Sequence, residues 1–124
     1  MSQSGWVILR RLYGASRRDP SSEELAAAIR ELFVENLPGM TEADYAEHPD
    51  ASLRYGHDDG PMYVLEIDRH GKATFQEWAD QDYETELAPA RVLRLSQDDA
   101  LRVWTLLASR NVDGVRRFRR EGEV

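Results

Sequence analysis

His57, Asp58 and Asp59, with His48 a little upstream, combine imidazole and carboxylate as a zinc or other transition-metal site would require. Neighbours on one turn rarely converge on a single ion, and a solvated turn is the competing reading. A second chemistry-bearing set is Glu66, Asp68, Glu77 and Asp80, carboxylates that a hairpin can bring together for acid/base work. Against it stands the ordinary polar face of a strand. Nucleophilic catalysis finds no cysteine, no G-x-S-x-G turn and no serine beside a histidine. The 8 glycines are scattered and build no phosphate loop. His70 falls on a turn, where an exposed imidazole is the ordinary state. Neither a catalytic residue nor a bound metal or cofactor is expected.

The stretch Gln76 to Glu86, QEWADQDYETE, points elsewhere. It sets Trp78 and Tyr83 among Glu77, Asp80, Asp82, Glu84 and Glu86. Rings supply anchoring area and carboxylates steer a basic partner, so this mixture suits a protein interface. Tyr55, Asp58 and Asp59 would border the same patch if their strands pair with it. The alternative folds Trp78 into the core and leaves the acids solvated.

Charge is unevenly spread. The net charge of −7 divides into 18 acids against 4 bases from Asp19 to Glu86, and 5 acids against 12 bases outside that span. An acidic middle disfavours nucleic acid and favours a basic protein. Arg110, Arg116, Arg117, Arg119 and Arg120 crowd the C-terminal end, where pairing with the protein's own carboxylates competes with phosphate contacts. The apolar run near the N-terminus, Trp6 to Leu9, is too short for a signal or a membrane span. Together with the lack of cysteine, this gives the expectation of a soluble cytoplasmic protein.

The elements that must position these residues follow from periodicity. Met62 to Asp80 reads as a β-hairpin: Tyr63, Leu65 and Ile67 alternate with Val64, Glu66 and Asp68, and Gly71 frees the turn. Ala73, Phe75 and Glu77 then alternate with Thr74, Gln76 and Trp78. Trp6 to Tyr13 is a first strand, and Gly14 to Pro20 a loop. Ser21 and Glu24 form a capping box opening a helix with a stripe of Leu25, Ile29, Leu32 and Phe33. A short helix is expected over Thr41 to His48 and a short strand over Leu53 to His57. Asp80 to Pro89 reads as a loop, Arg91 to Leu95 as a strand. Ser96 caps a second helix bearing Leu101, Trp104, Leu107 and Ala108. Val112, Val115 and Phe118 add a final turn or docked segment. Residues 116–124 form an arginine-rich tail without an assigned element.

With 124 residues, one domain spanning 1–124 is expected, of α+β class. Its sheet is antiparallel, of four to five strands, with two main helices packed on it. LEIDRHGKATFQEWADQDY and RVLRLSQDDALRVWTLLA, within a small acidic cysteine-free chain, resemble the immunity proteins of bacterial polymorphic-toxin systems. The resemblance implies a non-enzymatic protein that binds and neutralises one cognate toxin, through an acidic face matching a basic surface on that toxin. A regulatory module that oligomerises, including as a homodimer, through its sheet edge or its arginine-rich tail is the alternative. A metal-dependent enzyme using His57, Asp58 and Asp59 is another.

Overall fold

The computed structural model describes residues 5–11, 16–33, 41–43, 50–57, 60–80 and 83–118. At its centre is the hairpin that the alternation predicts, β4 (Met62–Asp68) and β5 (Lys72–Trp78). Gly71 makes the turn with φ of +84°. Asp68 holds the turn from one side, its Oδ1 accepting from the backbone N–H groups of His70 at 2.8 Å and Lys72 at 3.0 Å. Around this hairpin the sheet runs β2-β1-β3-β4-β5-β6, antiparallel throughout. Its other strands are β1 (Trp6–Arg10), β2 (Ser16–Arg18), β3 (Asp50–Gly56) and β6 (Glu86–Arg94).

The class is α+β, as expected, with six strands where four or five were foreseen. The extra strand is β2, three exposed residues in the span read as a loop. β6 also starts at Glu86, inside the span read as an acidic loop. Its ladder with β5 carries two register shifts, between Phe75 and Glu77 and between Glu77 and Trp78. Bulges interrupt the period-two pattern, which hides a strand from a test of alternation.

Both main helices start where their caps predict. In α1 (Ser22–Phe33) the capping box closes reciprocally, Glu24 N–H to Ser21 Oγ at 3.1 Å and Ser21 N–H to Glu24 Oε1 at 2.9 Å. The hydrogen bond from the Ser21 backbone is the main reason the Glu24 carboxyl sits below its ordinary range. In α2 (Gln97–Ala108) Ser96 Oγ accepts from Asp99 N–H at 3.2 Å. A third helix, α3 (Val112–Arg117), realises the final docked turn, with Asn111 Oδ1 accepting from Gly114 N–H at 2.8 Å. The helix expected over Thr41 to His48 lies mostly outside the described residues.

α1 and α2 cover one face of the sheet. Leu25, Ala28, Ile29 and Leu32 from α1 and Ala100, Val103, Trp104 and Leu107 from α2 join Val7, Leu9, Leu53, Leu65, Ile67 and Phe75 in one core. Trp104 is fully buried, and its indole N–H donates to the Leu65 carbonyl at 3.2 Å. The apolar stripe of α2 is rotated from the expected one, since Leu101 and Ala108 pack at its rim. On the opposite face Trp6, Met62 and Val64 make a second, smaller cluster with Ile8 and Trp78 at its edge. Gly56 makes room for it, because a Cβ there would stand 2.9 Å from the Trp6 ring.

Candidate functional site

Trp78 closes β5 with its ring on the face away from the helices, since its neighbour Glu77 points towards them. One side of the indole rests on the Trp6–Met62–Val64 cluster. Its N–H donates to Gln76 Oε1 at 3.3 Å. Beyond Trp78 the chain turns back on itself, Ala79 N–H donating to the Thr85 carbonyl at 2.8 Å. Within this turn Tyr83 takes φ of +60°, a left-handed conformation that costs a residue with a Cβ about 1 kcal/mol or more. The conformation sets the Tyr83 ring edge-on to Trp78, with centroids 5.2 Å apart.

Trp78 is half-buried, between the two positions foreseen for it, and Tyr83 is 47% exposed. Glu84 and Glu86 are exposed beside it and Asp80 is half-buried. The result is an outward ring on a fixed base, bordered by carboxylates. Such a site can bury an apolar anchor and steer a cationic surface. Asp82, Asp58 and Asp59 lie outside the described residues.

Tyr55 does not border this patch. Its register, opposite Tyr63 and through Tyr63 to Glu77, puts it on the helix-covered face, where it is buried. There Tyr55 stacks on Tyr63 at 5.9 Å and Tyr63 on Phe75 at 6.4 Å. Arg110 lies 5.8 Å from the Tyr55 ring centre and Arg116 6.0 Å from that of Tyr63. Burial pushes the Tyr63 phenol above its ordinary value, against the pull of Arg116. Pairing of the strands alone would let Tyr55 border Trp78, but the parity of the register decides the face and turns Tyr55 under the helices.

No family model, no curated protein and no solved structure matches this chain. The assignment of a role therefore rests on the site's own geometry.

The hairpin carboxylates do not converge. Glu77 faces the helices and pairs with Arg116, whereas Glu66 and Asp68 are on the open face and Asp68 is engaged in the turn. A grouping that sequence reasoning missed does form on that open face. Asp50 pairs across the ladder with Asp68, and both lie with Glu66, Lys72 and Thr74 around a polar hollow of about 210 Å³. Burial, then the Asp50 charge, pushes the Glu66 carboxyl up, with Arg10 opposing. Asp50 is also raised, first by burial and then by Asp68, against Arg10. Long-range pairing of β3 with β4 creates this group, and no local spacing announces it. The His57 ring Nε2 lies 3.1 Å from the Tyr55 hydroxyl. Among the described residues, no group of three or more His, Asp or Glu is placed to hold a metal ion.

Of the C-terminal arginines that are described, Arg110 and Arg116 engage the protein's own groups and Arg117 is exposed. Arg116 bonds Glu77 and Asp113, and Arg110 reaches Asp19 at 3.8 Å and the Gly5 carbonyl at 3.4 Å. Arg91 gathers the end of α3, donating to the carbonyls of Val115 at 3.0 Å, Arg116 at 2.9 Å and Phe118. Arg119 and Arg120 are outside the described residues. An open groove of about 710 Å³ runs along α2 between Leu101, Leu106 and Phe118. Among the described residues, no helix is long and apolar enough to cross a membrane.

Proposed function

We propose that this chain is a non-enzymatic binding protein that neutralises a cognate bacterial toxin, in the manner of the immunity proteins its sequence resembles. The observation that carries the reading is the Trp78–Tyr83 pair: a half-exposed tyrosine, held edge-on by a strained backbone against an anchored indole. Asp80, Glu84 and Glu86 flank it along the chain, and Asp82 belongs to the same stretch. Tyr83 is the anchor and the carboxylates draw in a basic surface on the toxin. Tyr55 has a structural role in this reading, under the helices. The cytoplasm is the compartment it implies, where the partner would be met before it acts.

The test is co-purification of the chain with the product of the adjacent open reading frame, followed by titration of variants. Tyr83→Ala is expected to weaken binding at least tenfold. Replacing Asp80, Asp82, Glu84 and Glu86 by their neutral amides is expected to weaken it and flatten its dependence on salt, leaving the melting temperature unchanged. Affinity unaltered by both variants would remove this surface from the interface, and absence of any complex would remove the toxin reading.

A further inference from the structure

The sheet already contains one filled seat for a cation. Tyr63 on β4 and Glu77 on β5 are paired across the ladder, so ring and carboxylate stand side by side on the helix-covered face. Beside them lies the Arg116 guanidinium, donating to Glu77 Oε1 at 2.7 Å and 6.0 Å from the Tyr63 ring centre. The ring attracts the cation through its quadrupole, and the carboxylate supplies the opposite charge and the acceptor.

One residue further along β5 the same arrangement recurs on the other face. Trp78 is paired across the ladder with Glu86 of β6, again an aromatic ring beside a glutamate. The register shift between Glu77 and Trp78 passes over Leu87, which sets a carboxylate rather than an aliphatic chain opposite the indole. Here a second ring is added, Tyr83, whose plane stands at 73° to that of Trp78. The two rings meet as a corner. With their centroids 5.2 Å apart, a guanidinium can lie within about 6 Å of both at once.

The chemistry left on offer selects the ligand. The indole N–H donates to Gln76 Oε1 and is not left for a visitor. Ring π-density and the exposed carboxylates of Glu84 and Glu86 attract a positive charge and repel an anion. Arginine fits better than lysine, because its planar guanidinium is weakly hydrated, stacks on rings and can meet a carboxylate with two N–H groups.

We infer that the Trp78–Tyr83 corner takes the guanidinium of an arginine on the partner protein, with Glu86 as its counter-ion. The inference rests on the binding-protein reading above and narrows its basic surface to one anchoring side chain. Arg116 on Tyr63 and Glu77 is the filled counterpart within the chain.

The test uses the isolated protein and a small probe, acetyl-arginine amide, followed by NMR at the Trp78 indole N–H and the Tyr83 ring. Saturable shifts are expected there, and none from acetyl-citrulline amide, which has nearly the same shape without the charge. Tyr83→Phe should keep the response. Tyr83→Leu and Glu86→Gln should each weaken binding by roughly threefold, the amount that one exposed cation–π or ionic contact supplies. Equal shifts from the two probes, no response to either, or binding unmoved by Tyr83→Leu combined with Glu86→Gln would overturn the inference. Capture of the neighbouring reading frame's product is scored separately. A captured toxin beside a corner that ignores the arginine probe removes this inference and leaves the proposed function standing. An arginine-binding corner in a chain that captures no partner does the reverse.

Discussion

Glu77 and Arg116, 39 residues apart in the chain, meet where β5 passes beneath α3. Arg116 Nη2 and Nε donate to one oxygen, Oε1, at 2.7 and 3.0 Å. The glutamate side chain is 9% exposed while the arginine is 44% exposed. The pair is thus asymmetric: one partner can return to water and the other cannot. Its hydrogen bond to Glu77 is the chief reason the Arg116 guanidinium holds its proton even more firmly than usual. The same arginine lies over Tyr63, so a single side chain ties the last helix to the aromatic row of the sheet.

Removing Arg116 should therefore cost more than removing Glu77. Arg116→Ala leaves a buried carboxylate without its donor, and the expected loss is about 1–3 kcal/mol by urea denaturation. Glu77→Gln should lose less, and a double variant with leucine at 77 and alanine at 116 should regain part of the Arg116→Ala deficit. Equal losses for the two single variants would contradict this asymmetry.

Gly71 is needed twice over. Its φ is left-handed, and an added Cβ would stand 2.4 Å from the Leu95 carbonyl oxygen, a backbone atom that cannot turn aside. Gly71→Ala should destabilise by more than the roughly 1 kcal/mol of the left-handed conformation alone. It should also weaken the junction of hairpin and β6, which hydrogen exchange at the Leu95 amide will detect. An alanine variant as stable as the wild type would show that the turn can shift.

The open-face acids give stability a definite dependence on pH. Glu66 and Asp50 titrate above their ordinary values in the folded chain, so the folded state binds their protons more readily than the unfolded state. Their contribution therefore falls as pH rises through the window from the ordinary carboxylate range to the raised values, and the penalty persists at neutrality. Glu66→Gln should raise the urea midpoint at pH 7, and the advantage should shrink as the pH is lowered below that window. A variant whose advantage grows on acidification would reverse the sign argued here.

Trp104 joins packing to a hydrogen bond in the centre of the core. Trp104→Phe keeps a ring but loses the hydrogen bond to the Leu65 carbonyl and should cost about 0.5–1.5 kcal/mol. Trp104→Ala should cost about 3–5 kcal/mol through the cavity it leaves. Thermal melts of the two variants will rank them, and a phenylalanine variant at wild-type stability would show that water or another donor serves the carbonyl.

Where local rules act alone, the chain was legible. Ser21 with Glu24 and Ser96 ahead of Asp98 and Asp99 announce both helices, because a cap is completed within four residues. The hairpin was visible because its alternation and Gly71 agree. β6 was visible only from Arg91 onward, since its earlier half is bulged and wet on both faces. The Trp78–Tyr83 site was half legible: composition marked the stretch, but the ring geometry depends on a left-handed tyrosine. Tyr55 was misplaced because one step of register moves a side chain through the sheet. Arg116 against Glu77 arises from a pairing of distant segments, and Asp50 beside Glu66 and Asp68 from the register of β3 on β4, which residue spacing alone does not set.

The order β2-β1-β3-β4-β5-β6 carries a consequence for synthesis. From β3 onward each strand lies beside its successor, so the meander can assemble as it emerges, by short loop closures. The first strand finds only the three-residue β2 at hand on one side, and its other side stays open. Trp6, Val7 and Leu9 leave the ribosome early and have to wait for Asp50–Gly56 before they can be sheltered. Until then the nascent chain trails an adhesive end, and the interval before β3 is complete is when it is most vulnerable to misassociation.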